Sequence, residues 1–339
     1  MGNITSHLKI VFVTSLDNDG PETFREAIEG MSGPRLIVMP KGEIRLTKPL
    51  TLEHDRGVTI LGMDGSSVVG HTFMIKKCFS IIIFRVAFKL GMVPNGNWDT
   101  CSIIDSVEVW LKDCAFLWGI DECLDLVRVK YAMIEGCVIA EPLRNPRSID
   151  PSVGHSIGPH PLVARFEGED ITVKNCLVAH QEFRPVLKGR RILYQQIIQY
   201  NCGSSYPIMI SSGAPGPYEL VDVYLNTGPD THNEDPQSPG YKGIRVFRDD
   251  PRYVVELKKF SVMAYGDCYN YEPAEATLSV QGGVVVNEPG SWSVWDGVTK
   301  DRYTLDQEWR DAPLFDDDAR RVRDDYFNYV GSMVDQPPS

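Results

Sequence analysis

The stretch WLKDCAFLWGIDECLDL, residues 110–126, begins as an apolar, strand-like run and ends in acids. Asp121, Glu122 and Asp125 fall within five positions. Carboxylates so close repel one another. They either lie on a solvated turn or gather around something positive. Carboxylate oxygens are the ligands of hard cations, and one such ion neutralises several of them together.

A constellation of this kind needs a frame to hold it. The pieces SIIIFRVAFKLG (80–91), VEVWLKDCAFLWG (107–119), YAMIEGCVIAEP (131–142), ITVKNCLVAHQE (171–182) and ILYQQIIQYNCG (192–203) share one pattern. Each is a short alternating strand, a corner of two or three residues, then a second short strand. VTILGMDG (58–65) and LVDVYLNTG (220–228) extend the series. Copies start roughly 21–28 residues apart, with one gap near 40, which is the spacing of a solenoid. Two strands and a corner cannot bury a face alone, but stacked copies can. The pattern predicts an all-β chain, a parallel β-helix with coils about 4.8 Å apart. It is expected to span 1–339 as one domain: a cap over about 1–35, coils over 36–300 and a brace over 301–339.

The repeat also accounts for cysteines. Cys114, Cys137 and Cys176 occupy one repeat position, with Val86 and Ile197 in the neighbouring copies, so they are expected as a reduced interior column. There is no CxxC pair and the histidines are scattered, which argues against zinc. GPETFREAIEGM (20–31) carries Phe24, Ala27, Ile28 and Met31 at helical spacing and reads as the cap that covers the first coil. DDDARRVRDDYFNYVG (316–331) reads as a helix or extended brace on the outside. The net charge of -12 and the lack of a basic stripe argue against nucleic acid as a partner. No apolar run is long enough to span a bilayer, so no membrane partner is expected.

Taken in order, these segments resemble pectate lyases of polysaccharide lyase family 1. VTSLDNDGPETFREAI followed by GPRLIVMPKGEIRL is similar to that family's opening strand, cap helix and first coils. VWLKDCAFLWGIDECLDL resembles its strand ending in a Val-Trp-Ile-Asp-His type motif and the Trp-Gly-x-Asp-Glu turn after it. CVIAEPL, GHSIGPH (154–160) and CLVAHQEFRP resemble later segments, and DDDARRVRDDYFNYVG the closing one. The family's fold is a right-handed parallel β-helix, in agreement with the repeat.

The resemblance implies calcium as cofactor, held by Asp99, Asp121 and Asp125, with Glu122 as a further ligand or a support beside it. It implies that Arg184 takes the proton from sugar C5 in a β-elimination. Substrate contacts are expected from Lys188, Arg190, His155 and His180. The implied activity is calcium-dependent cleavage of an acidic, uronate-containing polysaccharide. Departures from the family pattern bear on turnover. Lys112 and Asp113 stand where the family has Asp-His, Ile157 replaces a lysine, and Leu187 replaces a second arginine, with Pro185 one place early. Lys188, Arg190, Arg191, Arg144 and Arg147 are candidate substitutes for the lost cations. The alternative is a β-helix that holds a glycan without chemistry, as in a phage tail or virion, with tail proteins or a homotrimer as partners. MGNITSHLKI shows no signal-peptide pattern, so an extracellular site of action implies a virion-associated protein or removal of a leader.

Overall fold

The computed structural model describes residues 8–91, 93, 98–143, 162–181, 184–202, 208–210, 218–226, 244–246, 254–263, 277–281 and 284–285. His155, Ile157, Arg144, Arg147 and the expected brace at 316–331 lie outside the described residues. Among the described residues, every strand pairing is parallel and runs from coil to coil. The chain is a parallel β-helix, as the repeat predicts, and right-handed, as the resemblance implies. No described helix is long and apolar enough to cross a membrane.

Three sheets run along the solenoid. The first stacks Leu50–Glu53, Phe73–Lys76, Cys101–Ile104, residues 122–126 and 162–166, and then the strand opening at Val186. The second begins with Lys9–Phe12 on Arg35–Met39 and continues through Arg56–Gly62, Phe79–Phe84 and Val107–Lys112. The third stacks Gly42–Arg45, Ser66–Val69, Ala87–Lys89, Ala115–Leu117 and Val138–Ala140. Alternation along each strand sends every second side chain inward. Ile37, Ile60, Ile83, Leu111, Ile134, Val173 and Tyr194 therefore form one inward column of the second sheet.

The corners use a backbone conformation that side chains seldom adopt. Arg85, Asp113, Gly136, Asn175 and Gln196 all have positive φ, one per coil, between the second and third sheets. Lys77, Asp105 and Arg128 do the same between the first and second sheets. A left-handed residue turns the chain in a single step, which lets short strands meet at an angle without a loop. The conformation costs about 1–2 kcal/mol for an ordinary residue, and it recurs because every coil needs the same bend. Asp105 and Arg128 follow one another in such a column, and Arg128 donates to Asp105 at 2.6 and 2.8 Å across the coils.

Cys114, Cys137 and Cys176 are buried and free, as are the other described cysteines. The backbone N–H of Cys137 points at the Cys176 sulfur at 3.4 Å, which places the two on successive coils. Cys176 pairs in register with Ile197, so the column continues with an apolar residue. Burial pushes the Cys114 and Cys137 thiols well above the ordinary range, so they stay protonated.

The cap is the helix Phe24–Glu29. Thr23 accepts from the Glu26 N–H at 3.2 Å, and the Glu26 carboxylate accepts from the Glu22 N–H at 2.6 Å. These bonds satisfy amides that a helix start leaves without partners. Phe24 reaches into the core against Phe73, with ring centroids 5.9 Å apart. Phe73, Phe88 and Phe116 then stack coil on coil at 5.4 and 5.7 Å, nearly parallel. Phe88 is almost wholly buried in the middle of this row, so Phe88→Ala should leave a cavity that the stacked coils cannot close. We expect a loss of about 3–5 kcal/mol, read as a lowered midpoint in urea denaturation followed by circular dichroism.

Candidate functional site

Asp99 and Asp121 sit where the third sheet hands the chain back to the first. Trp118 follows its strand with positive φ, and Gly119 continues in a tight return. A Cβ on Gly119 would collide with the backbone carbonyl of Glu122, so only glycine permits this path. The return is pinned to the preceding coil, because the amides of Ile120 and Asp121 donate to the Trp98 carbonyl at 3.0 and 3.3 Å. The Thr100 N–H in turn donates to the Glu122 carbonyl at 2.9 Å. Two acidic segments more than 20 residues apart are thus held side by side.

One carboxylate oxygen from each of Asp99, Asp121 and Glu122 lies within 4.8 Å of the others. Asp99 accepts from the Ser102 hydroxyl at 2.6 Å and from the Glu122 N–H at 3.1 Å. Glu122 is 4% exposed. Burial raises the Asp99 carboxyl above its ordinary range, and Asp121 adds to the effect. Burial does the same to Glu122 more strongly, helped by Asp99, Asp121 and Asp125. The donor set is all oxygen and its negative charge is crowded, which suits a hard divalent cation such as calcium. Asp99, Asp121 and Glu122 would hold such an ion.

Asp125 stands outside this trio. Its carboxylate takes both arms of the Arg165 guanidinium, with Nε and Nη2 each at 2.6 Å. Asp125 pairs in register with Ser102 on one side and Arg165 on the other, so the three form one column of the first sheet. Burial pushes the Asp125 carboxyl up to about 6, with Arg165 pulling against it. Arg165 is a residue that the sequence reading passed over. Its signal was present: it lies in the first-sheet strand of the coil after Asp125, within LVARFEGED, but nothing in that segment shows what it faces.

The cationic candidates lie further along. Arg184 precedes the strand Val186–Tyr200, and its Nε and Nη2 lie 3.3 and 2.9 Å from the Met209 sulfur on the next coil. Lys188 pairs with Glu167 at 3.4 Å, and Arg190 with Glu169 at 3.8 Å. Arg191 bonds both Glu169 and Asp170. His180 is buried, with its Nδ1 2.9 Å from Asn201 and its ring edge-on to Tyr200. Lys112 sits on the second sheet in a charge ladder, 3.2 Å from Glu135, which Lys174 also meets at 3.3 Å. Leu187 is fully buried, so its side chain belongs to the core.

The raised carboxyl groups have a thermodynamic consequence. Asp99, Glu122 and Asp125 bind protons more tightly in the folded chain than in the unfolded one, whose carboxyls titrate near about 4. Their contribution to stability is therefore present at low pH and is lost as pH rises through the folded values, for Asp125 about 6. We expect added calcium to raise the melting temperature more at pH 7.5 than at pH 5, because a cation competes with protons for these groups. A thermal-shift series at the two pH values, with calcium against chelator, checks this.

The architecture is a parallel β-helix, a fold that solved pectate lyases share. Among solved structures, the pectate lyase Pel9A superposes with a TM-score of 0.50 at 10% identity, covering 93% of this chain and 87% of that one. Pectate lyase Bsp165PelA from Bacillus sp. N165, in complex with trigalacturonate, gives a TM-score of 0.48 at 13% identity, over 94% and 92% of the two chains. ORF18 of Geobacillus virus E2 gives 0.39 at 13% identity, over 76% of this chain and 62% of that one. At 10% identity the likeness to Pel9A is one of fold alone. No family model and no curated protein sequence matches the chain.

Proposed function

We propose that this chain is a calcium-dependent polysaccharide lyase that cleaves an acidic, uronate-containing glycan by β-elimination. The observation that carries the reading is the convergence of Asp99, Asp121 and Glu122, each with an oxygen within 4.8 Å of the others, on the turn that opens the first sheet. A bound divalent ion would supply Lewis-acid stabilisation of charge developing on a uronate carboxylate. The chain's own part is to orient the sugar and to receive a proton. Arg184, just before the first-sheet strand two coils beyond the acids, is the proposed acceptor of the C5 proton. Acting as the neutral guanidine, it takes that proton, the C5 electron pair forms the C4–C5 double bond, and the C4–O bond breaks with the leaving oxygen protonated by water. Arg184 also lies against the Met209 sulfur, a weak acceptor. Lys188 and Arg190 are proposed to meet further uronate carboxylates, exchanging Glu167 and Glu169 for substrate.

A second reading is a β-helix that holds an acidic glycan without cleaving it, in a virion or elsewhere. One observation favours it: Arg165, Lys188, Arg190 and Arg191 are all engaged with carboxylates of the chain itself. Both readings place the site of action outside the cell. The test is to incubate the protein with polygalacturonate and a panel of other acidic polysaccharides, with calcium or with chelator, and follow the ultraviolet absorbance of unsaturated products. Calcium-dependent growth of that absorbance supports the lyase. Binding without any absorbance change across the panel leaves the second reading in its place.

A further inference from the structure

Arg165 and Asp125 form a bidentate pair at the edge of the acid trio, and the pair is built asymmetrically. The Asp125 side chain is 4% exposed, whereas that of Arg165 is 36% exposed. The arginine therefore reaches solvent while it covers the carboxylate. Asp125 is also a neighbour of the trio through Ser102, which lies beside it in register and donates to Asp99. Glu122 and Asp99 feel Asp125 electrostatically, and Arg165 feels all three. A guanidinium fork matches the geometry of any carboxylate, including one on a sugar.

We propose that Arg165 is an internal counter-ion that holds Asp125 out of the cation site until a glycan carboxylate takes its place on the guanidinium. In the resting chain the cation meets three carboxylates and a nearby positive charge. When a uronate carboxylate binds the Arg165 fork, Asp125 is released and becomes a fourth acidic ligand. Cation and glycan then bind cooperatively, each raising the affinity for the other by the same factor. This inference rests on the cation site in the proposed function, but it does not require that the glycan be cleaved.

The test measures calcium binding by isothermal titration calorimetry, with no turnover involved. In wild type, Asp125→Asn should change calcium affinity less than about twofold, because Asp125 is already occupied. Arg165→Gln should tighten calcium binding by about tenfold or more, within the usual range of site-to-site coupling. Removal of a positive charge alone could tighten binding, so the double variant Arg165→Gln with Asp125→Asn decides the matter. Loss of the gain in the double variant supports release of Asp125, and persistence of the gain overturns it. Arg165→Lys keeps the charge and loses the fork, so it should give an intermediate gain even if the glutamine variant folds poorly. In wild type, saturating trigalacturonate should tighten calcium binding severalfold, and in Arg165→Gln it should not. Calcium binding that is identical in wild type and in folded Arg165 variants, or absent from all of them, overturns the inference. Tightened binding in a protein that cleaves nothing leaves the inference standing and removes the lyase instead.

Discussion

Asp55→Ala should destabilise the chain by about 3–5 kcal/mol, the cost of leaving a buried charge without its partner. The Arg35 side chain is 1% exposed and that of Asp55 7%, and they meet at 2.6 Å. Arg35 does more than neutralise the acid. It donates to the carbonyls of Ala27 at 3.0 Å, Ile28 at 3.3 Å and Gly33 at 2.8 Å. Those carbonyls belong to the end of the cap helix and the turn after it, where a helix leaves acceptors without partners. Asp55 also accepts from the N–H groups of Gly33 and Arg56, at 2.9 and 2.8 Å. Alanine would strand the guanidinium and two backbone donors together. The cap would loosen first, and the open end of the first coils would follow. Asp55→Asn keeps most of the shape and loses only the charge, so its effect should be smaller. The joint change Arg35→Met with Asp55→Leu should recover part of the loss, since an apolar pair needs no desolvation. Urea denaturation of the three variants orders them. An unaltered midpoint for Asp55→Ala would falsify the role of this pair as the cap's anchor.

The second large effect concerns chemistry. Glu122→Gln and Asp121→Asn, made together, should lower calcium affinity by about 100-fold or more, because two of three charged ligands become neutral. The folded chain should meanwhile gain stability in calcium-free buffer at neutral pH, since burial, with crowding by neighbouring carboxylates, is what raises Glu122 and Asp99. Opposite signs for binding and stability mark a ligand site rather than a structural ion pair. Arg184 makes a different prediction. Arg184→Lys keeps a positive charge, so glycan binding should partly survive while kcat falls by about 100-fold, the scale of a lost general base. A higher KM with kcat unchanged would mean that Arg184 only positions substrate. Steady-state assays on whichever uronide polymer the wild type cleaves separate the two.

The coil architecture was legible because it is written locally. Alternation in SIIIF, VEVWL and ITVKN decides which side chains turn inward, and the returning apolar pattern reveals that coils stack. Cys114, Cys137 and Cys176 were readable as interior for the same reason, since equivalent repeat positions meet equivalent surroundings. Phe24, Ala27 and Ile28 announced the cap helix by their spacing, and all three are buried. The three acids at 121, 122 and 125 were visible as a cluster, and the resemblance added Asp99 across a coil.

What each acid faces was decided elsewhere. Asp121 and Glu122 join Asp99, whereas Asp125 turns to Arg165, which lies 40 residues away in sequence. That partner depends on the register between coils, and register depends on the lengths of the intervening loops as well as on strand periodicity. Arg35 and Asp55 were likewise silent in GPRLIVMP and LEHDRG, because a buried ion pair looks like two ordinary surface charges until the coils bring them together. The direction of Arg184 toward Met209 also belongs to the next coil, not to its own segment. The sequence by itself determined the repeat, the inward columns, the corners and the identity of the charged groups. The tertiary structure alone decided which charges neutralise one another, because Coulomb energy depends on distance through the fold and strand pattern carries no measure of that distance.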